Sequence, residues 1–244
     1  MPEGKFRKAW GQFSAWVSLH GPIARFLSLG VGVVVLLVFL PSSLRIAFWD
    51  GLQANKLLTG MLFLFCLLAI SLVWSTGQQV DSWTFLLFNV RGSRPIWLDR
   101  IMSGFTQLGH GITSLGISLV LFLVSNHQLA YEFMLGTLIL WLIVEMMKFL
   151  IHRSRPYIRL TQARIVGFRA RGRSFPSGHT VQVFFMATFV VHHFNVNFGV
   201  AVLLYTIALI VGITRVYVGA HYPRDVLAGA ILGSAWGLIG AIVQ

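Results

Sequence analysis

The stretch Leu129–Leu150, LAYEFMLGTLILWLIVEMMKFL, decides the class of fold. Its charged side chains are only Glu132, Glu145 and Lys148. A helix of about 20 apolar residues is long enough to cross the hydrocarbon core of a bilayer. Barrel strands alternate between apolar and polar residues, whereas this run is uniformly apolar. The stretch therefore predicts a membrane-spanning helix.

Similar apolar runs occur along most of the chain. They cover residues 23–40, 57–74, 109–124, 178–194, 198–218 and 225–243. Hydrophobic residues make up 56% of the sequence and charged residues 11%, whereas soluble domains carry about 25% charged residues. These observations predict an all-α, polytopic membrane helix bundle. We expect the first run to be a retained N-terminal span in an extension of residues 1–56, followed by a catalytic membrane domain at 57–244.

Two segments break the apolar pattern. Residues 75–108 mix Trp, Phe, Arg and Asp, which predicts an amphipathic helix at the membrane interface. Residues 151–176 are polar and basic, and long loops of this kind are often functional. The single cysteine, Cys66, excludes an intrachain disulfide and a paired-cysteine zinc or redox site.

The chain is strongly basic, with 19 Lys and Arg against 7 Asp and Glu. Eight of the basic residues lie between Lys148 and Arg173, beside apolar runs. This position favours a phosphorylated substrate or a lipid headgroup over nucleic acid. The alternative is a cytoplasmic loop that obeys the positive-inside rule.

Three polar clusters stand at the ends of predicted spans, where ionisable residues are functional candidates. The first, KFLIHRSRP, places Lys148 and Arg155 two helical turns apart, so that both could grip one anion. The alternative is that both side chains snorkel, so that their apolar stems lie against the helix end and their charged groups reach the membrane–water interface. The second, FPSGHT, opens a helix at Ser177, Gly178 and His179. Unpaired N–H groups at a helix start bind anions, although an ordinary capped helix would have the same sequence.

The third cluster joins the last two predicted spans and contains Arg215, His221 and Asp225. A helix beginning near Tyr222 lets Asp225 hydrogen bond one imidazole nitrogen of His221 and leave the other free as a nucleophile. A packing histidine beside an interfacial aspartate is the alternative. Together, the cations, histidines and aspartate suit phosphoryl transfer through a phosphohistidine, with no acidic cluster to hold Mg²⁺.

These clusters resemble the three signatures of the type 2 phosphatidic acid phosphatase (PAP2) superfamily, which are KxxxxxxRP, PSGH and SRxxxxxHxxxD. Lys148–Pro156 matches the first signature and Pro176–His179 the second. Arg215, His221 and Asp225 match the third in spacing, but Thr214 replaces the usual serine. The resemblance runs from about residue 78 to residue 243.

The resemblance implies a six-helix core and a metal-independent phosphatase of lipid phosphates or diphosphates, with no cofactor. It implies that His221 is the nucleophile, that Asp225 orients it, and that His179 protonates the leaving oxygen. The residues implied to bind the phosphoryl group are Lys148, Arg155, Ser177, Gly178 and Arg215. Candidate substrates are undecaprenyl diphosphate, phosphatidylglycerophosphate and phosphatidic acid.

We expect a multi-pass protein of the plasma membrane whose partners are the bilayer and a lipid phosphate, without nucleic acid or an obligate protein partner. The family implies an extracytoplasmic active site, whereas positive-inside counting favours the cytoplasmic side. Lipid-to-lipid phosphotransfer and non-catalytic binding or transport remain open alternatives. The apolar spans disfavour a soluble vanadate-dependent haloperoxidase, whose anion pocket shares these signatures.

Overall fold

The computed structural model describes residues 31, 38–39, 41–92, 94–124 and 127–242. The chain divides into two compact units, Met1–Ala54 and Asn55–Gln244. In the first unit, the described helix is α1, Ser42–Ala54. The predicted span at 23–40 lies almost entirely outside the described residues. The assignment of residues 1–56 as an extension and 57–244 as the catalytic domain stays a prediction.

The second unit is built from helices, and all regular structure within the described ranges is helical. In chain order they are α2 Lys56–Ser71, α3 Ser75–Asn89, α4 Ile96–Gln107, α5 Gly111–Leu123, α6 His127–Ile151, α7 Pro156–Arg159, α8 Gly178–His193, α9 Phe198–Tyr217 and α10 Pro223–Ile242. The predicted all-α membrane bundle is confirmed. Six of these helices, α2, α5, α6, α8, α9 and α10, coincide with the predicted apolar runs.

Among the described residues, two helical stretches are long and apolar enough to cross a membrane: His127–Arg159, which comprises α6 and α7, and Phe198–Tyr217. Two further pairs of helices are long and apolar enough only when taken together, α2 with α3, bent by 96°, and α4 with α5, bent by 52°. A bend of this size is found in a broken span or in a re-entrant loop. The amphipathic region at 75–108 therefore contains two helices, α3 and α4. A left-handed glycine, Gly92, and then Pro95 separate them.

The distribution of side chains is that of a membrane protein. Large apolar residues are exposed on the outer faces of the helices, as shown by Trp141 at 61% and Leu142 at 54% on α6. Polar groups such as Thr180 and Asp225 are instead completely buried. Helices with many large apolar side chains on their outer faces are typical of proteins surrounded by lipid.

Close contact between α8 and α10 depends on glycines spaced four residues apart on α10. A Cβ at Gly229 would lie 2.9 Å from the carbonyl oxygen of Ser177, and one at Gly233 would lie 2.2 Å from that of Val181. Small residues at this spacing let two membrane helices pack backbone to backbone. The packing holds the start of α8 against the start of α10, where Asp225 lies.

Candidate active site

His221 lies in the short connection between α9 and α10, and its side chain is buried. The turn before it requires Gly219, which has φ +86°, and a Cβ there would lie 2.2 Å from the carbonyl oxygen of Arg164. The Nδ1 atom of His221 is 2.7 Å from the carbonyl oxygen of Ser174. Because a carbonyl oxygen only accepts hydrogen bonds, the neutral ring carries its proton on Nδ1 and a lone pair on Nε2.

The surroundings keep this imidazole neutral. Burial lowers the pKa of His221 to about 3, and the positive charges of Arg155 and Arg215 act in the same direction. The negative charge of Asp225 opposes this shift. At neutral pH the ring is therefore unprotonated, which is the state that a nucleophile requires.

Asp225 lies in the first turn of α10, and its carboxylate is held by several donors. Its Oδ2 accepts the backbone N–H of Tyr222 at 3.0 Å and the hydroxyl of Ser174. The distance from Oδ2 to Nδ1 of His221 is 3.7 Å, which is longer than a hydrogen bond. Asp225 therefore acts on the imidazole through its charge and through Ser174, and not through the direct hydrogen bond expected from the sequence.

Arg155 connects the polar loop to His221. Its Nη1 lies 3.2 Å from Nε2 of His221 and donates to the carbonyl oxygen of Ala220 at 2.9 Å. Its Nε and Nη2 donate to the carbonyl oxygens of Gly172 and Arg171, at 3.2 Å and 2.8 Å. One guanidinium thus fixes the backbone of the loop and faces the unprotonated nitrogen of the histidine.

The start of α8 forms a second wall of the site. The backbone N–H of Ser177 donates to the carbonyl oxygen of Asp225 at 3.0 Å, and the hydroxyl of Ser177 accepts from Thr180 at 2.9 Å. Within the described residues, the Ser177 side chain makes no capping bond to the helix. A Cβ at Gly178 would be 3.8 Å from Nζ of Lys148. First-turn N–H groups and a lysine therefore converge at one place, as in anion sites.

The remaining predicted site residues are His179 and Arg215. The ring of His179 packs edge-on against His110, with ring centroids 5.5 Å apart. Arg215 is buried in the last turn of α9, and its Nη1 donates to the hydroxyl of Thr106 on α4. The hydroxyl of Thr106 therefore fixes the orientation of Arg215, which is one of the cations predicted to bind phosphate.

A cavity of about 460 Å³ lies beside these residues, between α5, α6 and α8. Lys148, Gly178 and His179 line its polar side together with Glu145. Its apolar side is formed by Ile112, Leu115, Leu138, Leu140, Trp141 and Val144. The Nζ atom of Lys148 is 2.7 Å from Oε1 of Glu145. The cavity is thus charged at one end and apolar along its wall.

Some residues in the site were not predicted from the sequence. Ser174 and Arg153 both contact Asp225, and Asp81 on α3 contacts Arg153. Arg153 lies between Lys148 and Arg155 at a variable position of the first motif, so its one signal is a positive charge within that segment. Asp81 belongs to none of the three motifs. The one sign of it in the sequence is that it is an acidic residue in a segment rich in aromatic residues.

Positive charge in the site comes from side chains. In the part of the chain that the structure describes, no group of three His, Cys, Asp or Glu side chains is arranged to hold a metal ion. Lys148, Arg155 and Arg215 instead place three cations around His179 and His221. The expectation that the reaction needs neither metal nor cofactor stays a prediction.

Residues 128–244 match the family model described as the PAP2 superfamily. This chain carries a PAP2 domain. The domain begins with α6 and includes the three motifs, so the resemblance seen in the sequence is confirmed.

Known relatives agree with the PAP2 assignment. A lipid A 1-phosphatase of Rhizobium johnstonii is 39% identical over 110 residues, which are 42% of this chain and 42% of that protein. An undecaprenyl-diphosphatase of Sulfolobus acidocaldarius is 25% identical over 187 residues, 71% of this chain and 84% of the relative. The match thus spans less than half of the length of the first relative.

A solved crystal structure has a fold similar to that of this chain. The transmembrane PAP2-type phosphatidylglycerolphosphate phosphatase from Bacillus subtilis has a TM-score of 0.60 and 26% identity, over 75% of this chain and 93% of that one. With helices suited to crossing a membrane, this similarity identifies an integral membrane protein. The three relatives are, by name, phosphatases of lipid A, of undecaprenyl diphosphate and of phosphatidylglycerolphosphate.

Proposed function

We propose that this PAP2 protein is a phosphatase of lipid phosphates or diphosphates that forms a phosphohistidine on His221 without a metal ion. The observation that carries the proposal is the geometry of the imidazole. The carbonyl oxygen of Ser174 holds the proton on Nδ1, and the unprotonated Nε2 accepts a hydrogen bond from the guanidinium of Arg155 at 3.2 Å. This arrangement provides a nucleophile beside a cation that stabilises the anion it attacks.

In the first step, the phosphoryl group binds between the start of α8 and the three cations Lys148, Arg155 and Arg215. Nε2 of His221 attacks phosphorus, and the N–P bond forms as the bond from phosphorus to the leaving oxygen breaks. The leaving oxygen belongs to the lipid in a monophosphate and to the remaining lipid phosphate in a diphosphate. His179 gives its proton to the leaving oxygen. The cations, the N–H group of Gly178 and the hydroxyl of Ser177 stabilise the charge on the equatorial oxygens.

In the second step, His179 removes a proton from water, and the water oxygen attacks phosphorus. The N–P bond breaks, inorganic phosphate leaves, and His221 returns to its neutral form. The carboxylate of Asp225 supports both steps, because the imidazole carries positive charge while the N–P bond is present.

The cavity supports a lipid as the substrate. Its apolar wall leads away from Lys148 and His179, so it could hold the first part of an acyl or prenyl chain while the phosphate lies at the charged end. The relatives act, by their names, on lipid A, undecaprenyl diphosphate and phosphatidylglycerolphosphate. We therefore expect the substrate to belong to this class, which also includes phosphatidic acid.

The test is phosphate release by the detergent-purified protein from a panel of these lipids, with EDTA present. His221→Gln removes the nucleophile, and His127→Gln, at an exposed position outside the site, is the matched control. We expect release by wild type and by the control but not by His221→Gln. Phosphoenzyme trapped from labelled substrate should be labile in acid and stable in base, as phosphohistidines are.

Two results would contradict the proposal. Release that depends on added divalent metal would exclude metal-free chemistry. Transfer of phosphate to a second lipid, without release to water, would replace hydrolysis by lipid-to-lipid phosphotransfer.

We also propose that the site faces the outside of the plasma membrane. In a Cys66→Ser background, Arg171→Cys marks the loop at the site and His192→Cys marks the far end of α8. A membrane-impermeant thiol reagent applied to intact cells should label the first position and spare the second. The reverse labelling pattern would place the site on the cytoplasmic side.

A further inference from the structure

Asp81 is a buried carboxylate on α3, only 3% exposed, and it lies outside the three motifs. Its Oδ2 contacts Nη2 of Arg153 and lies 3.0 Å from Nε of Arg224, and its Oδ1 accepts the backbone N–H of Arg224 at 3.1 Å. A buried carboxylate is costly unless cations and donors satisfy it. Here two arginines do so.

Arg153 links this carboxylate to the candidate active site. Its Nη2 contacts Asp81 and its Nη1 contacts Oδ1 of Asp225. The same guanidinium stacks 4.2 Å above the ring of Tyr222. The planar fork of an arginine fixes the directions of both contacts. A continuous chain of contacts therefore runs from Asp81 through Arg153 to Asp225, beside His221.

The charges of this group balance. Asp81 and Asp225 are negative, and Arg153 and Arg224 are positive. Asp225 shares its Oδ2 between Ser174 and Tyr222, so Arg153 is the strong partner of its other oxygen. Without Asp81, Asp225 would be the one carboxylate among the described residues left to pair with Arg153, and the Nη2 end of the guanidinium would lose its ionic partner.

We propose that Asp81 is a positioning residue for the reaction. It fixes Arg153, and Arg153 fixes the carboxylate of Asp225 at the distance from which it supports His221. The inference rests on the proposed function. Positioning groups of this kind change turnover without contacting the substrate. Asp81 lies at the far end of the chain of contacts from His221, so its loss should affect kcat and leave KM close to the wild-type value.

The experiment compares Asp81→Asn with Asp99→Asn in the full-length protein. Asp99 is the matched control, because it also joins a helix to the polar loop through an arginine, Arg164, but does not belong to this chain of contacts. We expect Asp81→Asn to lower kcat about 10- to 100-fold at unchanged KM, in the range of second-sphere substitutions. Asp99→Asn should keep the wild-type kcat.

A double-variant cycle tests whether Asp81 acts through Arg153. If it does, Asp81→Asn combined with Arg153→Gln lowers kcat no further than Arg153→Gln alone. Losses that multiply would show that Asp81 acts by another route and would overturn the proposal. If Asp81→Asn does not fold, Arg153→Lys carries the test, since a single ammonium cannot bridge both carboxylates in the same way. Full kcat in Arg153→Lys would overturn the proposal.

These results separate the inference from the function on which it rests. An active wild type, an inactive His221→Gln and a fully active Asp81→Asn would refute the positioning role and leave the phosphatase intact. A wild type that releases no phosphate from any lipid would refute the proposed function itself.

Discussion

Nε2 of His221 lies 3.2 Å from Nη1 of Arg155. Because this is a hydrogen-bond distance, a phosphoryl group that reacts with Nε2 would have to displace the contact and would then lie beside the guanidinium. The same guanidinium also donates to three backbone carbonyl groups. Arg155 therefore holds the backbone around the site in place and also supplies positive charge next to His221.

Replacing Arg155 with lysine should separate these two roles. Lysine keeps the charge but loses the fork that spans the carbonyl groups of Ala220, Arg171 and Gly172. We expect phosphate release to fall about 100-fold, since removal of one preorganised donor costs this much in other enzymes. Arg100→Lys, at an exposed position on α4, should retain wild-type activity. Wild-type turnover in Arg155→Lys would contradict this assignment.

His221 should make stability depend on pH. Its folded-state pKa of about 3 lies below the ordinary value of 6.5, so between these values the unfolded chain binds a proton that the folded protein does not. Lowering the pH from 7 to 5 should therefore destabilise wild type by about 2 kcal/mol relative to His221→Gln. Thermal unfolding of both proteins at the two pH values measures the difference. Parallel curves would mean that His221 is not buried in its neutral form.

The ion pair between Glu145 and Lys148 predicts that Glu145 competes with a bound phosphate for Lys148. Its carboxylate is 2.7 Å from Nζ of Lys148 at the wall of the cavity, and like charges in one site oppose each other. Glu145→Gln should therefore strengthen inhibition by inorganic phosphate several-fold. Glu132→Gln, at a half-buried position on the same helix outside the lining of the cavity, provides the control. Weaker inhibition in Glu145→Gln would instead show that the carboxylate helps to hold Lys148 in its binding position.

Gly233 should be intolerant of alanine. A Cβ there would lie 2.2 Å from the backbone oxygen of Val181 on α8, so α8 and α10 would have to separate. We expect a loss of about 1–3 kcal/mol, as in other overpacked sites, together with reduced activity. At Gly240, the nearest atom to an added Cβ is 3.4 Å away on the ring of Phe189. Gly240→Ala should unfold close to the wild-type temperature, and equal effects of the two substitutions would contradict the packing argument.

Much of the fold could be predicted because membrane helices are marked by long apolar runs. Leu129–Leu150 needs no distant partner to be read as a helix, since its own backbone satisfies its hydrogen bonds within a bilayer. The approach of Arg155 to His221 was also expected, because the resemblance assigns both residues to one site. The apolar runs were thus sufficient to predict the helices, and the motif resemblance was sufficient to group Arg155 with His221.

The rest depended on contacts between distant parts of the chain. Asn89 is fully buried, and its amide donates to the backbone oxygens of Arg164 and Tyr217, which lie 75 and 128 residues away. Asp81 meets Arg153 across 72 residues. No periodicity or spacing marks such pairs, because they exist only once the helices have packed. Similarly, the carbonyl oxygen of Ser174 carries no side-chain signature by which its contact with His221 could be foreseen.

Arg155 binds the loop at residues 171–172 only through backbone oxygens. The site therefore depends on the path of the loop and not on the chemistry of the side chains that the loop displays. Gly172, with φ +77°, is the position where the backbone itself restricts the choice of residue. For protein engineering, the exposed side chains of Arg171 and Arg173 can thus be varied while the backbone contacts of Arg155 are kept.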